Sequence, residues 1–302
     1  IVSGGGQLDD YWGGPWGHPY ALFKWGLIAK MASSKYIFLS VGTCALESKL
    51  SIFFIRQALR FANYRSYRDK TSKQLLEHID FTRNDLVYPD LAFSYTNKVR
   101  FQNLVSRNDG KVVGISPIAY LSRYGWPKKD IPVYENYFKI LVVFISILVQ
   151  QGYSIVLFST DGPDRKVVSD IVDSLRKDYE LDITGKVSQP RTETLEELFE
   201  QLCNINYVIA SRLHGILLSN LCGLPILAIS YDRKVNTYMV DVGFPDYCLD
   251  IHNIEIGSLL KSFELLTINS ESIKSRIIAN NTTYAADLNK QYDLVLEGLV
   301  DA

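Results

Sequence analysis

The chain has 302 residues, of which 47% are hydrophobic and 22% are charged, and its formal net charge is −1. This composition is typical of a folded globular protein long enough for two domains, and it excludes a disordered chain and a strongly basic nucleic-acid-binding protein. The four cysteines have no C-x-x-C spacing, so neither a zinc site nor a disulfide framework is indicated.

The first third of the chain alternates short apolar strands with helical patterns. In chain order we predict a strand at 36–41, a helix at 47–63, a strand at 64–67 and a helix at 70–78. Such alternation favours a parallel sheet. A polar, turn-rich stretch at 106–110 then interrupts the periodicity, and we place a domain boundary after residue 108. The predicted domains are therefore residues 1–108 and 109–302.

The second domain repeats this alternation of strands and helices. Predicted strands lie at 112–117, 154–159, 206–210 and 225–230, and predicted helices at 134–151, 165–177, 192–202, 215–222 and 270–299. The apolar run at 140–149 is shorter than the about 20 residues that a bilayer span needs, so we predict a helix buried against the sheet and no transmembrane segment. The whole chain is predicted to be an α/β protein with two Rossmann-like domains.

The segment Ser211-Arg212-Leu213-His214-Gly215 falls between a predicted buried strand and a predicted apolar helix. Open α/β sheets bind ligands at such turns. The helix N-terminus offers unpaired N–H groups, and Arg212 beside it suits a phosphate or carboxylate. His214 is the side chain of the segment that exchanges protons near neutral pH. Taken singly, the arginine is explained by a surface ion pair and the histidine by packing, but their occurrence in one turn favours a ligand site.

A second predicted strand, at 225–230, leads to Tyr231-Asp232-Arg233-Lys234. If the two strands are parallel neighbours, this turn lies beside Arg212 and His214 at the same edge of the sheet. The sequence therefore predicts that cations and an imidazole converge there.

Several motifs, in order along the chain, resemble those of the polysaccharide pyruvyl transferase family. They are Gly4-Gly5-Gly6-Gln7-Leu8, Arg68-Asp69-Lys70-Thr71-Ser72, Pro89-Asp90-Leu91-Ala92-Phe93, Ser211 to Gly215, Gly223-Leu224-Pro225 and Tyr231 to Lys234. Members of that family usually open with a strand and an N-x-G-D-type loop well before the triple glycine. This chain opens directly on Ile1, so the N-terminal domain is expected to be truncated and to lack its first βα units.

The resemblance also implies an architecture and a reaction. Two Rossmann-like domains would face each other across a ligand-binding cleft, similar to the GT-B glycosyltransferases, with the C-terminal helix packing back on the N-terminal domain. The donor would be phosphoenolpyruvate, and the acceptor a sugar of a cell-surface glycan or its precursor, free or lipid-linked. The acceptor would become a cyclic pyruvate ketal while phosphate leaves. Neither a cofactor nor a metal is expected, and the location would be the cytoplasm, with or without peripheral attachment to the membrane.

The same resemblance assigns donor-side roles. His214 would be the catalytic residue, and the donor-binding residues would be Arg212, Leu213, Lys234 and Arg68. A trianionic donor requires cations to leave water, which these side chains supply. Arg68 is open to a second interpretation, in which it pairs with Asp69 or caps the following helix.

On the acceptor side we expect Gly5, Gly6, Asp9 and Trp12. Glycine allows a ligand to approach the backbone closely, and aromatic and carboxylate side chains stack on sugars and bind their hydroxyls. A tight turn with a packed loop explains the same residues equally well.

Two rival functions remain open. A nucleotide-sugar-dependent GT-B glycosyltransferase would also use cations at a helix N-terminus for its diphosphate. Such enzymes usually carry a carboxylate shortly after the site turn, and none occurs between His214 and Pro225. The other rival is an inactive glycan-binding relative.

Overall fold

The computed structural model describes residues 1–11, 13–97, 111–124, 126 and 129–300, with side chains as far as residue 298. The chain divides into two compact units: unit 1 comprises residues 1–97 and 282–302, and unit 2 comprises residues 98–281. The boundary predicted after residue 108 lies outside the described residues and stays a prediction. Trp12, one of the acceptor-side candidates, also lies outside them.

Unit 1 is built on a short parallel sheet. Its strands are β1 (Val2–Ser3), β2 (Ile37–Val41), β3 (Tyr64–Tyr67) and β4 (Leu86–Val87), and they pair in that order. Helices α1 (His18–Met31), α2 (Lys49–Phe61) and α3 (Lys70–Glu77) follow the first three strands in turn. Helix α2 buries residues at helical spacing, and three of them join Phe38 and Val41 of β2 in one hydrophobic core: Ile55, Ala58 and Leu59.

Unit 2 is built on a six-stranded parallel sheet. Its strands are β5 (Val112–Ser116), β6 (Ser154–Leu157), β7 (Val187–Ser188), β8 (Tyr207–Ala210), β9 (Ile226–Ser230) and β10 (Cys248–Asp250). Its helices are α4 (Ile131–Gln150), α5 (Asp164–Lys177), α6 (Leu195–Leu202), α7 (Leu213–Leu221), α8 (Arg233–Asp241), α9 (Ile256–Ile268) and the first part of α10 (Ser270–Val300).

The strand order in unit 2 creates a ligand-binding position. Across the sheet the order is β7-β6-β5-β8-β9-β10, so the chain moves outward from β5 in one direction and then from β8 in the other. This is the doubly wound Rossmann order, whose switch point lies between β5 and β8. Ser116 pairs with Ala210 at the carboxyl ends of these two strands. The prediction of an α/β protein is confirmed, with two parallel sheets.

Helix α4 corrects one step of the sequence argument. The apolar run at 140–149 belongs to a 20-residue helix, which by length and composition alone passes as a membrane span, the single one among the described residues. The length of this helix therefore does not by itself exclude a membrane span. Leu141, Phe144 and Ile145 of this helix are completely buried, and the helix packs against α5, α9 and β6. Its composition is that of a core helix in unit 2.

Helix α10 supplies part of the core of unit 1. Gln291 is completely buried, accepts a hydrogen bond from Ser40 Oγ at 3.2 Å and donates one to Ser66 Oγ at 2.5 Å. Tyr284 packs edge-on against Phe93 with ring centroids 4.8 Å apart. The residues of α10 from 282 onward therefore hold β2, β3 and the segment after β4 together.

Candidate functional site at the carboxyl end of the second sheet

The turn that carries the candidate donor residues joins β8 to α7, as the sequence predicts. Val208, Ile209 and Ala210 are buried in the sheet, and α7 is buried along most of its length. Arg212 is the N-cap residue, with extended backbone angles, and the first bond of the helix runs from Ile216 N–H to Arg212 O at 3.0 Å. The N–H groups that precede it therefore have no acceptor within the helix.

Ser211 anchors this turn to two other elements. Its N–H donates to Ser116 O at 3.1 Å, and its hydroxyl lies 2.8 Å from the hydroxyl of Tyr137 on α4. Tyr137 also accepts a hydrogen bond from Ile118 N–H at 3.2 Å. Burial raises the pKa of the Tyr137 phenol, so it stays protonated and can donate to Ser211. The turn is thus held in place by β5 and α4.

Arg212 is held between two aspartates. Its Nε and Nη2 donate to the two carboxylate oxygens of Asp164 at 2.5 and 3.1 Å, and Nη2 lies 2.7 Å from Asp161 Oδ2. The side chain of Asp164 is completely buried, whereas that of Asp161 is 45% exposed. Asp164 also accepts a hydrogen bond from Ala119 N–H at 2.8 Å. The guanidinium therefore has one fixed partner and one partner open to solvent.

The charges of this group are coupled. Burial raises the pKa of the Asp164 carboxyl, and the hydrogen bonds from Arg212 act against that rise. Burial acts to lower the pKa of Arg212, but the hydrogen bonds and charge of Asp164 outweigh it and raise that pKa, so Arg212 stays a cation. The cation Arg212 thus contacts two carboxyls, and an incoming anion would compete with the half-exposed Asp161 for Nη2.

Leu213 and His214 occupy the first turn of α7 differently. The side chain of Leu213 is 6% exposed and belongs to the core, so a donor would meet its backbone N–H. His214 is exposed. It lies in the first turn of α7, where the macrodipole favours negative charge, and its catalytic role stays a prediction.

Lys234 lies after the neighbouring strand. Strand β9 pairs in parallel with β8, so both turns leave the same edge of the sheet, as the sequence predicts. Asp232 caps α8 by accepting a hydrogen bond from Lys234 N–H at 2.9 Å, and its other oxygen lies 3.9 Å from Lys234 Nζ. The ammonium also lies 5.3 Å from the ring centroid of Tyr231.

Sequence reasoning missed two parts of this site. The first is Asp164, the first residue of α5, which lies just before the helix predicted at 165–177. The second is an aromatic cluster, which we define as Tyr120, Trp126, Tyr231 and His252. Tyr231 belongs to a recognised motif, but the other rings come from the loops after β5 and β10. The strand order, which brings these loops together, was the missing signal.

In unit 1, the glycine loop is fixed to the end of β2. Gly4 and Gly5 have φ of 55° and 66°, values that favour glycine. Gly4 N–H donates to Leu39 O, and Gly42 N–H donates to Gly5 O at 2.7 Å. A Cβ on Gly6 would lie 3.4 Å from Asp9 Oδ2. The structure shows a tight turn here, and the acceptor-side roles of Gly5, Gly6 and Asp9 stay predictions.

Arg68 makes the ion pairs of its second interpretation. Its Nε lies 3.4 Å from Asp69 Oδ2 and its Nη1 lies 3.4 Å from Asp90 Oδ2. The cap of α3 is Asp69, which accepts a hydrogen bond from Ser72 N–H at 2.6 Å. A Cβ on Gly42 would lie 2.6 Å from Arg68 Nη2, so the guanidinium packs closely on backbone. Donor binding by Arg68 stays a prediction.

Within the described part of the chain, the His, Cys, Asp and Glu side chains form no group of three or more that is placed to hold a metal ion.

Comparison with known proteins shows that the chain is similar to proteins of polysaccharide biosynthesis. The family model described as polysaccharide pyruvyl transferase matches residues 1–233. The chain is also 23% identical over 189 residues to the amylovoran biosynthesis protein AmsJ of Erwinia amylovora. That alignment covers 60% of this chain and 43% of that protein, so the matched region spans less than half of the length of the relative.

Solved structures with a similar fold include sugar-nucleotide enzymes. The UDP-GlcNAc 2-epimerase from Neisseria meningitidis bound to UDP-GlcNAc matches 93% of this chain and 73% of its own, with a TM-score of 0.56 and 12% identity. The corresponding epimerase from Methanocaldococcus jannaschii matches 82% and 67%, with a TM-score of 0.54 and 13% identity. A glycosyltransferase from Rickettsia africae matches 94% and 82%, with a TM-score of 0.51 and 9% identity. At these identities the similarity concerns the fold alone.

Proposed function

Since the chain belongs to the polysaccharide pyruvyl transferase family, we propose that it transfers the pyruvyl group of phosphoenolpyruvate to a sugar of a cell-surface glycan or its precursor. The product is a pyruvate ketal, and phosphate is released. The observation that carries the proposal is the turn between β8 and α7, which presents Arg212 and His214 at the switch point of a doubly wound sheet, with Lys234 after the next strand.

Donor binding follows from the charges at this edge. A trianion leaves water only where cations and oriented N–H groups replace its hydration, and Arg212, Lys234 and the N-terminus of α7 offer both. The bound donor takes the place of Asp161 at Nη2, because Asp161 is half-exposed and Asp164 is fixed. Asp164 then keeps the guanidinium oriented while the donor occupies its accessible side.

The chemistry requires two proton transfers in balance. The methylene carbon of phosphoenolpyruvate gains a proton, which leaves positive charge on the carbon that bears the phosphate. One sugar hydroxyl attacks that carbon, and a second replaces phosphate as its C–O bond breaks. One of the two hydroxyl protons ends on the new methyl group and the other on phosphate. His214 is the histidine at this turn, and it carries protons between these groups.

The rival reading, a nucleotide-sugar-dependent glycosyltransferase, draws support from the fold, because similarly folded enzymes bind UDP-GlcNAc. Calorimetry with phosphoenolpyruvate, UDP and GDP separates the two. We expect binding of phosphoenolpyruvate that Arg212→Ala abolishes. A matched control is Arg165→Ala, which removes the same charge from an exposed residue next to Asp164. Binding of a nucleotide in place of phosphoenolpyruvate would overturn the proposal.

The role of His214 is tested by turnover. Phosphate release from phosphoenolpyruvate in the presence of methyl glycosides should fall by about 10²–10⁴-fold in His214→Ala, while the affinity for phosphoenolpyruvate stays within about threefold. His78→Ala, which changes an exposed histidine of unit 1, is the control. An equal loss of donor affinity in His214→Ala and Arg212→Ala would contradict this division of roles.

A further inference from the structure

We propose that the rings of Tyr120, Trp126 and Tyr231 form the surface on which a pyranose ring of the acceptor stacks. The proposal rests on the proposed function and names a location for its second substrate. It differs from the sequence-based expectation, which places the acceptor at Gly5, Gly6, Asp9 and Trp12.

The three rings meet at the carboxyl ends of the strands of the second sheet. Tyr120 and Trp126 follow β5, and Tyr231 follows β9, on either side of the turn after β8. The ring centroids lie 5.2 Å apart for Tyr120 and Trp126, 5.2 Å for Tyr120 and Tyr231, and 5.8 Å for Trp126 and Tyr231. All three side chains are half-buried. Their position at the switch point is the part of the fold where ligands bind.

The rings are in contact with the cations assigned to the donor. Arg212 Cζ lies 5.8 Å from the centroid of the Trp126 ring, and Lys234 Nζ lies 5.3 Å from that of Tyr231. A molecule stacked on these rings is therefore next to an anion held by Arg212 and Lys234. An acceptor must occupy such a position, because its hydroxyls attack a carbon of the bound donor.

The chemistry of the cluster suits a sugar. A pyranose has C–H groups on its ring faces and hydroxyls on its edges, so it needs aromatic faces beside polar groups. Trp126 stands at 78° to Tyr120 and at 88° to Tyr231, and such edge-to-face packing covers less ring area than parallel stacking. The hydroxyl of Tyr120 and Nε2 of His252, 3.3 Å apart, place hydrogen-bonding groups at the rim. The exposed His252 extends this rim toward solvent.

Trp126 makes the proposal measurable. It is the one tryptophan in residues 98–281, since the other three are at positions 12, 16 and 25. With phosphoenolpyruvate present, titration of the full chain with methyl glycosides of glucose, galactose and mannose should change tryptophan fluorescence saturably for at least one of them. The change should disappear in Trp126→Phe. A change that persists in Trp126→Phe, or one produced by uridine but by none of the glycosides, would overturn the proposal.

Kinetics supply the second measurement. Trp126→Ala should raise the KM for the glycoside about tenfold and leave the KM for phosphoenolpyruvate within about twofold, and Trp126→Phe should restore most of the affinity. The control is Tyr179→Ala. This exposed ring follows α5, a helix that begins beside Arg212 and runs away from it, so Tyr179 lies toward the amino ends of the strands. A raised KM for phosphoenolpyruvate alone would overturn the proposal.

The two proposals fail in different ways. Glycoside-dependent fluorescence without phosphate release would leave the stacking surface standing and refute the pyruvyl transfer. Phosphate release whose dependence on the glycoside is unchanged in Trp126→Ala would refute the stacking surface and leave the pyruvyl transfer standing.

Discussion

Each unit places an arginine between two aspartates after strands of a parallel sheet, and the two arrangements differ in what they leave available. Arg212 makes short contacts of 2.5–3.1 Å with Asp164 and Asp161. Arg68 makes two contacts of 3.4 Å. Its side chain is 11% exposed, compared with 18% for Arg212.

The partners explain the difference. Asp69 and Asp90 accept backbone hydrogen bonds from Ser72 and Ala92, and their side chains are only 16% and 9% exposed, so Arg68 ties two loops together. In unit 2 the completely buried Asp164 fixes the arginine, while the second partner, Asp161, is half-exposed and can be exchanged for a ligand. The two arginines thus differ in the exposure of the second carboxylate: both partners of Arg68 are largely buried, whereas Arg212 has a solvent-exposed partner that a ligand can replace.

Substitution of the arginines should give the largest contrast. Arg212→Ala leaves Asp164 buried without its cation, so the free energy of unfolding should fall by about 3–5 kcal/mol and binding of phosphoenolpyruvate should vanish. If Arg68 has the structural role of its second interpretation, Arg68→Ala should destabilise unit 1 by a smaller amount and retain binding. Urea unfolding and calorimetry measure both quantities. Loss of binding in Arg68→Ala, with the fold intact, would support the predicted donor-binding role of Arg68 and break the comparison.

Replacing Asp161 and Asp164 by asparagine should change the affinity for phosphoenolpyruvate in opposite directions. Asp161→Asn removes the competitor of the donor, so the affinity for phosphoenolpyruvate should rise about two- to fivefold. Asp164→Asn weakens the bonds that orient Arg212, so the affinity should fall about tenfold or more. Asp90→Asn in unit 1 is the control and should leave the affinity unchanged. If both changes in unit 2 tighten binding, Asp164 merely competes with the donor.

Substitution of two glycines near the arginines should give the smallest difference between the units, measured as the free energy of unfolding. A Cβ at position 42 would lie 2.6 Å from Arg68 Nη2 and 3.2 Å from Gly5 O, so Gly42→Ala should cost about 1–3 kcal/mol by overpacking. A Cβ at position 215 would lie 3.4 Å from Ser116 Oγ, an ordinary contact, and alanine favours the helix. Gly215→Ala should therefore change the free energy of unfolding by less than about 1 kcal/mol. Thermal unfolding of both variants, followed by circular dichroism, decides whether this ranking holds.

The sequence predicts the turn after β8 because a buried apolar run and an apolar helix enclose it, and such patterns report local burial. The parallel pairing of β8 with β9 is a condition of the sequence prediction, and the structure meets it. The pairing of Arg212 with Asp164 does not, because the two residues are 48 positions apart and their contact depends on the order of the strands. The short strands β7 and β10 carry too few residues for a periodic signal. Helix α4 shows a different error, since the length of the apolar run at 140–149 was compared with a bilayer span, whereas the helix extends over Ile131–Gln150.

Helix α10 has a consequence for the synthesis of the protein. Unit 1 draws on two separated stretches of chain, and the buried Gln291, which joins Ser40 to Ser66, is translated after the whole of residues 98–281. Residues 98–281 have therefore all been translated while the earlier sheet still lacks its closing helix. Unit 1 is completed only after unit 2 has been translated. Until then the nascent chain exposes the hydroxyls of Ser40 and Ser66 and an uncovered part of the sheet, which chaperones and proteases can recognise.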